Sequence, residues 1–255
     1  MRFSAAAKFN SSVLLLALFL AGTVRAQRTE GPYTKALSEL ASAKLHPLGE
    51  PGVILKCLSS PSDSLLIGAF HQIPIHAPVA EVYKVFRNFE AYPEWLPGVK
   101  SVKILRTEPS FLVSFEQIIP FPFVPNTRYS VWYESLRPAA DSILIRFQLS
   151  ASEDLKSLDG YSLLKGTPEN ETLYSELDFL DAHWGVAKFL SPRSIWKEAV
   201  SGFLESDFAL KLKSEKPAMS TRELQREARF SVEAPLIEQC VKGKVDASSF
   251  LKNLN

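Results

Sequence analysis

The chain reads as an α+β protein, an antiparallel sheet of about seven strands followed by one long C-terminal helix. Three observations carry this reading. Six successive runs between Val99 and Phe179 have strand period, with turn signals between them. One more strand-like run, Leu65 to Ile75, precedes them and is followed by a short segment at helical spacing. The stretch from Pro192 to Lys213 carries a continuous apolar stripe of the kind that covers a sheet.

The first segment stands apart from this core. Arg2 and Lys8 precede an apolar run from Val13 to Leu20, and Val24-Arg25-Ala26 has the small-x-small form of a cleavage site, so residues 1–26 read as a signal peptide cut before Gln27. The apolar stretch from Ser11 to Val24 holds 14 residues, short of the roughly 20 that a bilayer-spanning helix requires. The expected product is soluble and exported, periplasmic or secreted, with 26 basic against 28 acidic side chains. No cysteine stands near the cleavage site, which disfavours a lipid-anchored form.

Residues 27–64 form an N-terminal extension. A helix candidate, Pro32 to Leu45, is followed by the breakers Pro47, Gly49, Pro51 and Gly52, and then by a short apolar run, Val53 to Leu58, suited to a sheet edge. The main domain spans 65–216. Its first strand, Leu65–Ile75, leads through Ala77-Pro78 into Val79, Val82, Tyr83, Phe86 and Phe89 at helical spacing; Tyr92-Pro93-Glu94-Trp95-Leu96-Pro97-Gly98 ends that helix in an aromatic turn.

The six later runs are Val99–Arg106, Phe111–Ile119, Arg128–Leu136, Ser142–Ser150, Gly160–Lys165 and Thr172–Phe179. Alternation is clearest where Ile143, Ile145, Phe147 and Leu149 oppose Leu144, Arg146 and Gln148. Ser191 is the expected N-cap and Pro192 the first residue of the long helix, whose stripe is Ile195, Trp196, Ala199, Val200, Phe203, Leu204 and Phe208. Residues 217–255 form a C-terminal helical extension, with a hairpin expected over Thr221–Phe230 and Pro235–Lys242.

Composition excludes several functions. With 29 Lys+Arg against 28 Asp+Glu and no basic run, the chain lacks the footprint that nucleic acid requires. Two cysteines and four histidines are too few and too scattered for a zinc module or a disulfide framework. In an oxidising compartment Cys57 and Cys240 are able to pair; otherwise they are two separate thiols, buried beside Leu55/Leu58 and Ile237/Val241.

The order of elements, and three stretches within it, resemble the START / polyketide-cyclase superfamily and its helix-grip fold. The stretches are FHQIPIHAPVAEVYKVFRNFEAYPEWLPGVKSVKIL from Phe70, IPFPFVPNTRYSVWYE from Ile119, and DGYSLLKGTPENETLYSELDF. The resemblance runs from about Leu65 to Lys213. It departs from the family where Arg128-Tyr129 replaces the frequent Arg-Asp, and at Asp181-Ala182-His183-Trp184, where an Asp-Pro is often found. It implies a curved sheet wrapped around the long helix, with a cavity between them that binds a mostly apolar ligand.

Within that implied cavity, Phe115, Tyr129, Val131, Tyr133, Ile145, Phe147, Tyr161 and Leu163 are expected on the concave face, with Trp196, Val200 and Phe203 above them. Taken singly, each also fits plain core packing. Gln117 shares the alternation of Phe111, Val113 and Phe115, so its amide should point inward and either fix a polar head or satisfy itself in the core. Trp95, Phe121 and Phe123 lie in proline-rich loops, where they would gate the cavity, touch a membrane surface transiently, or pack beneath the loop.

Enzymatic motifs are sparse. Asp178, Asp181 and His183 have metal-ligand residue types but lack a second cluster. His71 and His76 come without a nucleophile motif. Asn170-Glu171-Thr172 fits a glycosylation acceptor, which matters only in a eukaryotic secretory pathway. No carboxylate or histidine is assigned to the cavity, and no cofactor or metal. The expected partner is a lipid, a polyprenyl quinone or another hydrophobic small molecule. The alternatives are a cyclase/aromatase-type enzyme using Tyr133 or Gln117 on protons, and a partner-binding module with a closed cavity.

Overall fold

A computed structural model describes residues 53–60, 63–106, 110–118, 125–181, 191–232 and 234–246. The expected signal peptide, the Pro32–Leu45 helix, Phe121, Phe123 and His183 lie outside the described residues.

A single curved sheet organises the fold. Its strands are β1 (Ile54–Ser60), β2 (Asp63–Ile75), β3 (Val99–Arg106), β4 (Phe111–Gln117), β5 (Thr127–Ala139), β6 (Ser142–Ser152), β7 (Ser157–Gly166), β8 (Thr172–Asp181) and the two-residue β9 (Val245–Asp246). The spatial order is β3-β4-β5-β6-β7-β8-β2-β1-β9, antiparallel throughout except where β9 lies parallel to β1. Strands β3 to β8 follow one another as a meander, as short turns between alternating runs dictate. The expected count of about seven rises because both extensions contribute: β1 comes from the N-terminal one and β9 from the C-terminal one.

The helices are α1 (Val79–Arg87), α2 (Tyr92–Trp95), α3 (Pro192–Glu215), α4 (Thr221–Ser231) and α5 (Ala234–Lys242). A 3₁₀ turn, Phe89–Ala91, joins α1 to α2, so the aromatic turn of the sequence reading is itself helical. Pro93 is tolerated there because it falls in the first turn of α2, where backbone N–H groups lack intrahelical partners. Helix α3 starts as its sequence dictates, with the Ser191 side chain accepting from the Ser194 N–H and Pro192 following.

The concave face packs on α1, α2 and α3 in one large apolar core that includes Ile73, Val82, Phe89, Val131, Ile145, Trp196 and Leu204. A second, smaller apolar cluster, Leu58, Phe70, Leu144, Tyr161, Leu177 and Phe179, lies on the opposite face of the sheet. A disulfide between Cys57 and Cys240 ties β1 to α5 and settles the alternative left open by the sequence. Among the described residues no helix is long and apolar enough to cross a membrane.

Candidate functional site

A cavity of about 810 Å³ opens between the concave face and α3. Six of the twelve expected ligand-binding residues line it: Phe115, Gln117, Tyr129, Tyr133, Phe147 and Phe203. Their strands set this arrangement, since Phe115 pairs with Tyr129 across β4 and β5, and Tyr133 with Phe147 across β5 and β6. The rings pack on one another, with Phe115 stacked on Tyr129 at 5.3 Å between centroids and Phe89 packed on Tyr133 at 4.8 Å. The Tyr129 hydroxyl donates to Gln117 Oε1 at 2.8 Å, so the inward amide has a partner of its own. Burial pushes the phenols of Tyr92, Tyr129 and Tyr133 well above the ordinary tyrosine range, which keeps them neutral donors.

The other six do not line the cavity. Val131 and Ile145 share the inward alternation but are fully buried in the core beside it. Trp196 and Val200 are likewise buried in the core stripe of α3, and Lys244 Nζ sits 4.3 Å from the centre of the Trp196 ring. Tyr161 and Leu163 belong to the opposite face, where they join the second cluster. The register explains this correction: Tyr161 pairs with Arg146 and Gly160 with Phe147, so the inward positions of β7 are Gly160, Ser162 and Leu164. Trp95 lines the cavity but is only 3% exposed, packed edge-on against Tyr92 at 5.0 Å rather than projecting as a gate.

The cavity floor carries what the sequence reading missed. His71 of β2 is fully buried, with Nδ1 against Asp207 Oδ2 of α3 and Nε2 2.7 Å from Asp178 Oδ2 of β8. Glu176, two residues before Asp178 and directly cross-strand from His71, takes a hydrogen bond from the Tyr174 hydroxyl. Phe203 stacks over the His71 ring at 6.0 Å. Burial alone would lower the His71 pKa, but Asp207 and Asp178 on either side raise it well above the ordinary value. Burial, with Asp178 adding to it, holds Glu176 well above the usual carboxylate range, and burial also raises Asp207.

Of the described members of the candidate D-x-x-D-x-H set, Asp178 faces this floor and Asp181 does not. Asp181 lies on the other parity of β8 and pairs with Lys156 Nζ at 3.1 Å. His76 is exposed and contacts Glu171 at 2.6 Å. Among the described residues, the group able to hold a metal ion is instead His71, Glu176 and Asp178, whose ligand atoms lie within 4.8 Å of one another. A signal for it existed in β8, where Tyr174, Glu176 and Asp178 form one polar parity set inside an otherwise buried strand.

Comparison with known proteins bears on this architecture. The family model described as polyketide cyclase / dehydrase and lipid transport matches residues 75–147. Human StAR-related lipid transfer protein 5 superposes with a TM-score of 0.55 at 11% identity, over 72% of this chain and 95% of that one. The lipid transfer and protein localization domain of human StarD13 gives 0.51 at 13% identity, over 72% and 96%. This is the helix-grip fold. The START / polyketide-cyclase resemblance seen in the sequence therefore holds for the fold. Human STARD10 superposes over 82% of this chain and 92% of its own, at 16% identity and a TM-score of 0.50. No curated protein matches the chain by sequence.

Proposed function

We propose that this chain binds a hydrophobic small molecule, such as a lipid or a polyprenyl quinone, inside the cavity and carries it outside the cytoplasm. The observation that supports this most is the cavity itself. Its volume of about 810 Å³ falls in the roughly 300–1,000 Å³ range of sites that bury most of a small ligand, and its walls are aromatic. The similarity to a family of lipid transport and cyclase proteins adds support. The Cys57–Cys240 disulfide supports export, because such bonds persist in oxidising compartments. Ile118, half exposed at the cavity rim, offers an apolar contact for transient approach to a membrane surface.

The experiment is native mass spectrometry, with organic extraction, of the protein purified from the exported fraction. A co-purifying lipid or quinone, displaced on adding a competing apolar ligand, is the expected result. Protein that leaves the cell without guest and takes up none from vesicles would overturn the reading.

A cyclase/aromatase-type enzyme is the second reading, and one observation favours it. His71, Glu176 and Asp178 supply the cavity with ionisable groups suited to proton transfer. Turnover of a polyketide-like substrate, lost in Glu176→Gln with binding retained, would move the assignment there.

A further inference from the structure

The floor cluster gathers several carboxyl groups around one imidazole. A neutral imidazole has one N–H, yet both nitrogens of His71 face carboxylate oxygens. If Nδ1–H donates to Asp207, Nε2 and Asp178 Oδ2 present lone pairs to each other at 2.7 Å. That second contact needs a positive centre, either a second proton on the ring or a metal ion in that proton's place. Three carboxyl groups, Glu176, Asp178 and Asp207, share this one imidazole. The cavity's other lining cation among the described residues, Arg229, sits 3.8 Å from Glu205 on α3 instead.

We propose that His71 Nε2 and the carboxylates of Asp178 and Glu176 form a binding site for a divalent transition-metal ion on the cavity floor, with Asp207 as the positioning carboxylate behind His71. The register builds the ligand set into the sheet. His71 and Glu176 are direct cross-strand partners, and Asp178 follows on the same face of β8, so all three point to one place on rigid strands. Their ligand atoms already lie within 4.8 Å of one another. Metal–ligand bonds of about 2.0–2.2 Å close that gap by side-chain rotation, without moving the strands.

Asp207 supplies the outer contact that metal-bound histidines normally have, a carboxylate on the other ring nitrogen that fixes the tautomer and aims Nε2. A separate observation points to a further ligand. Ser162 is fully buried, lies directly across from Glu176 on β7, and near Tyr174 its hydroxyl finds no partner in hydrogen-bonding geometry. One imidazole nitrogen and two carboxylates suit zinc, manganese or ferrous iron rather than a soft ion. Three protein ligands leave positions open toward the cavity, where an oxygen-bearing head of the guest can coordinate. The site goes beyond the apolar-ligand reading, and metal uptake is measurable with the cavity empty, so either can fail without the other.

The test uses the full exported chain, stripped with a chelator and titrated by calorimetry with Zn²⁺ and with Mn²⁺. Co²⁺ loading, followed by visible absorption, gives a spectroscopic readout. The expected result is one equivalent at micromolar or tighter affinity. Glu176→Gln and Asp178→Asn, which keep the side-chain shape, should abolish stoichiometric uptake. Asp207→Asn should weaken it about 10–100-fold and alter the Co²⁺ spectrum, while Glu116→Gln, outside the cavity on β4, should bind as the parent does. A folded parent protein that takes up none of the three ions overturns the proposal. So does uptake that Glu176→Gln and Asp178→Asn leave unchanged.

Discussion

Gly160 fixes how closely Phe147 lies on the sheet. A Cβ at this position would stand 2.2 Å from Phe147 Cζ and 2.3 Å from the Leu177 carbonyl oxygen. The ring can escape only into the cavity it lines, and the carbonyl belongs to a paired strand. Gly160→Ala should therefore cost about 1–3 kcal/mol by overpacking and weaken ligand binding, as Phe147 is pushed inward. Phe147→Leu in the same chain removes the ring contact but not the backbone one, so the double variant should recover part of the loss. Chemical denaturation of the four proteins checks this. Strict additivity of the two changes would show that the Gly160–Phe147 approach does not constrain the site.

Helix α3 presents a second glycine with the opposite character. Gly202 lines the cavity, and a Cβ there would meet nothing within 4 Å. Replacing a mid-helix glycine improves helix propensity by up to about 1 kcal/mol, while a larger side chain projects into the space a guest would fill. Gly202→Leu should thus raise the melting temperature and lower ligand uptake, two effects of opposite sign from one change. Equal or better uptake by this variant would mean that guests do not approach α3.

The same helix shows what the sequence made legible and what it hid. Ser191, Pro192 and the stripe from Ile195 to Phe208 announce α3 because capping and period are local properties. Alternation in β6 was equally readable, since Ile143, Ile145 and Phe147 face the core. In β7 and β8 the same rule misleads. There the large apolar set, Tyr161, Leu163, Leu177 and Phe179, packs on the outer face, leaving Ser162, Glu176 and Asp178 inside. Asp178 faces inward because His71 meets it, with Asp207 on the other ring nitrogen, and His71 lies 107 positions from Asp178 and 136 from Asp207 along the chain. No local pattern links β2, β8 and α3 into one cluster.

At the scale of the whole molecule, the Cys57–Cys240 bond joins elements 183 residues apart and holds β1 and α5 together at one end of the sheet. Its main effect falls on the unfolded chain, where a closed loop of this length removes conformational freedom equivalent to about 5 kcal/mol in the entropy model. Native packing changes little on its loss, because Leu55, Leu236, Ile237 and Val241 remain buried around the site. The cavity lies elsewhere: none of its lining residues belongs to β1 or α5. The variant Cys57→Ser with Cys240→Ser should therefore lose about 2–5 kcal/mol of stability in denaturant unfolding, yet bind an apolar guest within about twofold of the parent under conditions where both are folded. That separation has a structural basis, since β4, β5 and β8 pair with strands other than β1, and α3 meets α5 through Arg193 and Lys197 on Glu238, outside the cavity lining. Binding that collapses together with the disulfide would instead mean that the β1–α5 end sets the curvature of the sheet, and through it the width of the cavity.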